Sequence, residues 1–244
     1  MKKEEYIKMY QLENQHFWFL GKRFFTDAVL FSCKRNIQKI LDVGSGTGGM
    51  TKFLLRYGKV TGIEKSKTAR QLAKKRGVIL IQGNAQNLPF KSGSFDLVTL
   101  FDVLYHRDIK DEKKVLSEAR RVLKDKGYLL ITDSALEFLR GPHDEATFGA
   151  RRYTLNQMSK LVKGCGYKIL KSSYVYFTLF PLISIKRLLT DRIRKNRGSD
   201  VERVNPAINS LLIFILRLEA FFLKFVSFPV GSSVLVLAQK DEER

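Results

Sequence analysis

From residue 37 to about residue 132 the chain alternates short apolar runs with stretches in which apolar residues recur every three or four positions. Lys39-Ile-Leu-Asp-Val43 reads as a strand running into Gly44-Ser-Gly-Thr-Gly-Gly49, and Met50 to Tyr57 has helical spacing. Val60 to Glu64 is a second strand, followed by a helical, basic segment from Ser66 to Arg76. Val78 to Gln82, Phe95 to Phe101 and Tyr128 to Thr132 supply three more strands, with a helix over Lys110 to Leu123 before the last. Strands alternating with helices of this length predict right-handed βαβ units and a parallel sheet.

The flanks follow other patterns. Residues 1–36 read as a helical cover carrying the aromatic cluster His16-Phe-Trp-Phe-Leu-Gly-Lys-Arg-Phe-Phe25. Tyr153 to Gly164 looks helical, with Thr154 as N-cap and Gly164 as stop. Tyr167 to Thr178 and Ser232 to Ala238 alternate like strands, and the uncharged segment Ser172 to Ile185, despite Pro181, reads first as strand. The intervening Leu179 to Gly231 is far longer than a hairpin loop. Its first part sets Lys186, Arg187, Arg192, Arg194, Lys195 and Arg197 beside Ile183, Leu188, Leu189 and Ile193. Its second part, Ile208 to Phe228, is dominated by Leu, Ile and Phe, so two amphipathic helices are expected. The expected division is a cover at 1–36, a main domain at 37–178 and 232–240, and a helical insertion at 179–231.

Composition narrows the surroundings. The 44 Lys and Arg against 24 Asp and Glu leave a formal charge of +20, while 44% hydrophobic residues exclude a disordered chain. Such a charge favours an anionic partner: nucleic acid, an acidic membrane surface or a charged substrate. Cys33 and Cys165 are far apart and no CxxC occurs, which excludes a disulfide framework and a Cys-rich zinc site. Three histidines make a His-based metal site unexpected, and no metal is predicted. The mixed-charge N-terminus has no apolar run after it, and Arg217, Glu219 and Lys224 interrupt the most lipophilic stretch. Neither a signal peptide nor a spanning helix is expected; the cytoplasm, with peripheral membrane contact, is the expected location.

The glycine-rich turn is the centre of the chemistry. Missing side chains let a ligand approach the backbone, and the helix that follows presents free N–H groups. Asp42 precedes the first glycine, and Glu64 ends the second strand about twenty residues on, where a carboxylate can accept from a ribose diol. Those features alone also fit a dinucleotide-dependent dehydrogenase. In order, however, Ile40-Leu-Asp-Val-Gly-Ser-Gly-Thr-Gly48, Gly62-Ile-Glu64, Gly83-Asn-Ala-Gln-Asn-Leu-Pro-Phe90, Phe101-Asp-Val-Leu-Tyr-His106 and Arg121-Val-Leu-Lys-Asp-Lys-Gly127 resemble five motifs of the class I S-adenosylmethionine-dependent methyltransferases. The branch they most resemble methylates small molecules, including quinone and lipid precursors.

The resemblance implies a Rossmann-like, doubly wound seven-stranded sheet with an antiparallel last strand. It also implies S-adenosylmethionine as cofactor, held by Asp42, Gly44, Ser45, Gly46, Glu64, Lys65, Asn84, Ala85, Phe101 and Asp102, with Glu64 on the ribose and the loop at Asn84 around the adenine. Asn84 stands where the family commonly has Asp; its amide oxygen can still accept. Phe17 to Phe19 and Gly21-Lys-Arg23 resemble a signature of one subset, in which Trp18 and Arg23 would help close the site. The same comparison places Arg151, Arg152 and Tyr153 at the substrate mouth.

Methyl transfer from a sulfonium is an in-line displacement governed by orientation and desolvation, and a general base is needed only for a protonated nucleophile. Tyr105, His106 and His143 are the catalytic candidates, with packing of the fourth-strand loop as the alternative for His106. The acceptor is expected to be small and hydrophobic or amphipathic: a lipid, a prenylated compound or a lipid-linked one. The insertion reads as a lid or homodimer interface, or as a contact with an anionic membrane. RNA methylation and a non-catalytic partner subunit stand as alternatives.

Overall fold

The computed structural model describes residues 1–33, 36–190 and 203–241. Helices α1 (Lys3–Leu12) and α2 (Phe17–Leu30) precede the first strand. The next elements are β1 (Lys39–Val43), α3 (Gly49–Leu54), β2 (Lys59–Glu64), α4 (Lys67–Lys75), β3 (Leu80–Gln82), β4 (Phe95–Phe101), α5 (Glu112–Val122) and β5 (Leu123–Ser134). They are followed by α6 (Pro142–Thr147), α7 (Leu155–Gly164), β6 (Tyr167–Val175), α8 (Phe180–Thr190), α9 (Pro206–Leu223) and β7 (Ser233–Lys240). The strands form one sheet in the order β3-β2-β1-β4-β5-β7-β6. Pairing is parallel from β3 to β5, and β7 is antiparallel to both β5 and β6. This is the expected doubly wound sheet, with the last strand reversed and a helical insertion before it.

Period-two side-chain alternation splits the core into two layers. Leu41, Val98, Leu100, Leu129, Ile131, Val234 and Val236 point to the side covered by α5 and α7. Ile40, Leu97, Leu130, Leu235 and Leu237 point to the side covered by α2, α3 and α9. Both faces are buried, which is why the central strands read as continuous apolar runs. Connections reverse direction between β1 and β4, so the carboxyl ends of these strands open onto the crevice where open α/β sheets take ligands.

Helix boundaries follow their caps. Ser66, Asp111 and Thr154 each accept a backbone N–H three residues on, and Thr154 completes a capping box with Gln157.

Of the boundaries that differ from the sequence reading, two do so because backbone N–H groups are used elsewhere. β3 starts at Leu80 rather than Val78, because the Val78 N–H closes α4 on the Ala73 carbonyl, 3.0 Å away, with Gly77 left-handed. β6 ends at Val175 rather than Thr178. Tyr176 is left-handed, and the N–H groups of Phe177 and Thr178 donate to the buried Glu219 carboxylate at 2.9 and 3.0 Å. The segment read first as strand through Ile185 turns instead into α8, with Pro181 in its first turn, where a missing N–H costs nothing. Arg192, Ile193, Arg194, Lys195 and Arg197 lie outside the described residues.

α9 runs against α2 on the outer layer. Leu216, Glu219, Ala220 and Leu223 form its buried face, and a Cβ added at Gly21 of α2 would lie 2.8 Å from Leu216 Cδ1. Against the expectation that its charges disqualify it, α9 is apolar enough over 18 residues (mean hydropathy 1.7) to qualify by length and composition as a membrane span. Its Glu219 face is nevertheless built into the protein.

Candidate active site

The backbone turns after β1 through Gly44, Gly46 and Gly48, with φ of 73°, 54° and 81°. These are left-handed values that only glycine adopts without strain. A Cβ at Gly44 would also stand 2.7 Å from Val103 Cγ2. Beyond this turn lies a cavity of about 550 Å³, walled by the ends of β1, β2 and β4, the loop at Asn84, and helices α1, α2 and α6.

The structure brings all twelve of the expected cofactor residues to this cavity: Trp18, Arg23, Asp42, Gly44, Ser45, Gly46, Glu64, Lys65, Asn84, Ala85, Phe101 and Asp102. Asp42 sits beneath the turn, fully buried, accepting from Thr51 Oγ1 at 2.6 Å and Thr99 Oγ1 at 2.8 Å. Burial raises its pKa against the pull of these hydroxyls. It therefore braces the turn from below. The Ser45 hydroxyl does the same from the side, donating to the Asp42 carbonyl at 2.8 Å.

Glu64 is placed at the rim of the turn by β2. Its two oxygens accept from Gly46 N at 2.9 Å and Ser66 N at 2.8 Å, while burial raises its pKa. A carboxylate offers about four lone-pair sites, so two remain for a diol. Asn84 uses its amide oxygen to accept from Gln86 N at 3.0 Å, closing the loop on itself. Lys65 pairs with Asp108 at the exposed edge, 3.0 Å apart.

At the end of β4, Asp102 adopts φ 55° and forms an ion pair with Lys22 of α2. Lys22 is nearly buried, and the reading of the sequence did not single it out as a site residue. The signal was present in Gly21-Lys-Arg23, but only the tertiary fold sets that lysine against Asp102. Next to it, Arg23 Nη2 donates to the Glu13 carbonyl at 2.9 Å and Asn14 Oδ1 at 3.0 Å. Its Nε is buried without an acceptor. Trp18 stacks on Tyr176 with ring centroids 4.0 Å apart, and Tyr176 Oη donates to the Trp18 carbonyl at 2.6 Å.

α1 closes the cavity and was missed as a contributor of site residues. Met1, Tyr6, Met9 and Glu13 line the cavity from this side, and burial pushes the Tyr6 phenol up to about 12. Arg76, at the end of α4, clamps the segment: Nη2 meets Glu13 Oε1 at 2.7 Å and the Tyr10 carbonyl at 2.9 Å, and Nε meets the Thr47 carbonyl at 3.2 Å. Thr47 Oγ1 donates to the same Glu13 carboxylate. Burial raises the Glu13 pKa despite both partners. Sequence periodicity carries no trace of a clamp linking residues more than sixty positions apart.

The three catalytic candidates also converge on the cavity. His106 Nδ1 accepts from Asp108 N at 3.1 Å, and its Nε2 lies 3.2 Å from the Met1 amino group. Burial, then the amino-terminal charge, pushes its pKa down to about 4, so it is neutral at pH 7. His106 thus braces its own loop, as the alternative for it held, and also faces the cavity. His143 enters from the first turn of α6. Tyr105 is buried, with its phenol pKa raised by that burial.

The expected substrate residues lie elsewhere. Arg151, Arg152 and Tyr153 are absent from the cavity wall, and each is held in a structural contact. Arg152 grips Asp144 through two nitrogens at 3.0 and 3.1 Å, both side chains being buried. Arg151 pairs with Glu112 at 2.9 Å, and the Tyr153 hydroxyl donates to the Leu104 carbonyl at 3.1 Å. The loop folds back on α5 and α6, which takes these side chains away from the mouth. Arg107, not predicted, is at the cavity instead, over the Phe148 ring at 3.6 Å. Among the described residues no group of His, Cys, Asp and Glu is arranged to hold a metal.

Comparison with known proteins agrees with this geometry. Residues 41–131, from the middle of β1 into β5, match the model of a methyltransferase domain. Over 104 residues the chain is 38% identical to a demethylmenaquinone methyltransferase of Thermotoga maritima, covering 40% of this chain and 44% of that protein. Over 145 residues it is 32% identical to a ubiquinone/menaquinone biosynthesis C-methyltransferase of Wigglesworthia glossinidia brevipalpis, covering 53% of this chain and 56% of the relative. The chain thus spans about half the length of these two relatives. Among solved structures, an S-adenosylmethionine-dependent methyltransferase of Thermotoga maritima superposes with a TM-score of 0.57 at 19% identity, covering 98% of this chain and 96% of that one, a likeness of fold. Residues 41–131, with the glycine turn that faces Glu64 inside them, thus form an S-adenosylmethionine-dependent methyltransferase domain.

Proposed function

We propose that this protein moves a methyl group from S-adenosylmethionine to a small acceptor that is largely apolar or amphipathic, such as a quinone-like ring. The observation that carries the reading is the state of the carboxylates in the cavity. Asp42, Glu64, Asp102, Asp108 and Glu13 are each engaged by a hydroxyl, a backbone N–H or a cation, and the wall between them is built from Phe19, Met50, Ile63, Phe101, Val103 and Phe148. Glu5, also in the wall, is paired with Lys8, Asp42 lies buried beneath the turn and Glu64 is given to the ribose, so the wall left to an acceptor is mainly apolar and suits an apolar ring.

The residues present fit the cofactor. Glu64 retains lone pairs for the ribose diol, the loop at Asn84 and Ala85 borders the adenine end, and the orphaned Arg23 Nε supplies a donor for the amino-acid carboxylate. When bound, S-adenosylmethionine supplies a methyl already activated on sulfur. The protein's share is orientation and exclusion of water, which α1, α2 and α6 perform by covering the cavity. A phenolic or enolic acceptor also has a proton to lose, and the imidazoles of His106 and His143 in the wall are the groups suited to hold it.

Methyl incorporation from labelled S-adenosylmethionine tests the reading, with a demethylated prenyl quinol set against glycine and sarcosine as acceptors. Turnover of the quinol is the expected result. Preference for the amino acids would overturn the acceptor class.

A further inference from the structure

α9 presents an exposed surface that lies outside the catalytic cavity. Leu211, Phe214, Leu218, Phe221, Phe222 and Phe225 recur at helical spacing and are 45–70% exposed, on the face of α9 away from Leu216, Ala220 and Leu223. Leu182 and Ile185 of α8 are exposed as well. Isolated exposed apolar residues are ordinary; a stripe of five on one helix, continued by Phe225 just past its end, marks a surface that meets something apolar.

Charge is distributed to match. Along the described parts of α8 and α9 the only carboxylate is Glu219, and it is buried, accepting from Phe177 N, Thr178 N and Thr178 Oγ1. Arg217 and Lys224, two helical turns apart, follow one border of the stripe. They lie over the rings of Phe24 at 5.1 Å and Phe31 at 4.8 Å, and neither has a carboxylate partner among the described residues. Together with Arg56 and Phe221 they line an open groove of about 730 Å³ beside the stripe. Arg56 itself is paired with Asp27, so the groove carries more positive charge than negative.

We propose that this face docks on an anionic lipid bilayer, with the α9 stripe entering the acyl region and Arg217 and Lys224 meeting the headgroup phosphates. A bilayer answers both features, because it supplies an apolar interior next to a layer of negative charge. A second copy of the chain answers only the first. In a twofold dimer the face meets itself, which brings the Arg217 and Lys224 border against a border of the same sign. The inference is independent of the acceptor's identity, since none of these side chains lines the catalytic cavity.

Flotation of the full chain with phosphatidylcholine vesicles, with and without phosphatidylglycerol, tests the proposal. Binding to the anionic vesicles is expected, falling as salt rises. The double variant Arg217→Gln, Lys224→Gln is expected to bind them about 25-fold more weakly, roughly fivefold for each cation removed. Phe214→Ser with Phe225→Ser is expected to abolish flotation. All four positions are exposed, so an unchanged melting temperature and unchanged S-adenosylmethionine binding by calorimetry are expected as the control for folding. Absence of wild-type binding to anionic vesicles, or binding indifferent to the charge variant, overturns the proposal. So does a concentration-dependent dimer in sedimentation that the Phe variant breaks, which would assign the face to a second copy.

Discussion

Replacing Arg76 by Met removes the clamp on α1 and isolates a buried acid. The Arg76 and Glu13 side chains are each only 6% exposed, and Arg76 also serves the Tyr10 and Thr47 carbonyls. Removing one partner of a buried pair costs about 3–5 kcal/mol, because the survivor keeps its desolvation penalty without its counter-charge. That is a factor of roughly 150 to 5,000 in the equilibrium between docked and undocked α1. α1 packs on α4 and over the cavity, outside the sheet, so the loss appears first as local opening rather than as a lower global melting temperature. Hydrogen exchange should show lost protection in Lys3–Leu12 with the sheet amides unchanged. Cofactor affinity should fall in parallel, as the closed population shrinks. The defect also has a pH signature. Burial already raises the Glu13 pKa, and losing Arg76 raises it further, so the docked state binds the proton more tightly and docking recovers as the pH is lowered. Adding Glu13→Gln to Arg76→Met should restore much of the protection at neutral pH. Unchanged α1 exchange in Arg76→Met, or a loss that Glu13→Gln does not relieve, would refute the reasoning.

Further outcomes follow from the site and the outer layer. Glu64→Ala should weaken S-adenosylmethionine binding about tenfold to a hundredfold by calorimetry, the worth of one charge-assisted hydrogen bond, with the fold intact; equal affinity would show the ribose contact to be misassigned. Glu219→Ala orphans two backbone N–H groups and the Thr178 hydroxyl, so a loss of about 3 kcal/mol or more is expected in urea unfolding. His106 has its folded pKa lowered from 6.5 to about 4, so the unfolded chain takes the proton first and the His106 contribution to stability falls as pH drops through that window. The stability difference between the wild type and His106→Asn should therefore change between pH 6.5 and 4; a constant difference would show that His106 titrates normally.

Most of the scaffold was legible along the chain. The short apolar runs at Lys39–Val43 and Phe95–Phe101 mark these strands at their observed bounds, because both of their faces pack against helices. The glycines at 44, 46 and 48 announce a turn that side chains would not permit, and Glu64 follows at the distance one crossover helix sets. Boundaries failed at Val78 and at Phe177–Thr178, where N–H groups are diverted from the sheet to a helix end and to Glu219. In the second case propensity cannot register a partner about forty residues away.

The sequence by itself therefore determined the alternation of strands and helices, the glycine turn, its carboxylate and the family they signal. Those are local properties, written in period and in short spacing. Only the tertiary structure decided that α1 and Arg76 close the cavity, that Lys22 faces Asp102, and that Arg151, Arg152 and Tyr153 belong to the framework. It also separated the buried side of α9 from its exposed one. Each of these rests on pairing between distant segments, where packing and desolvation choose the partner.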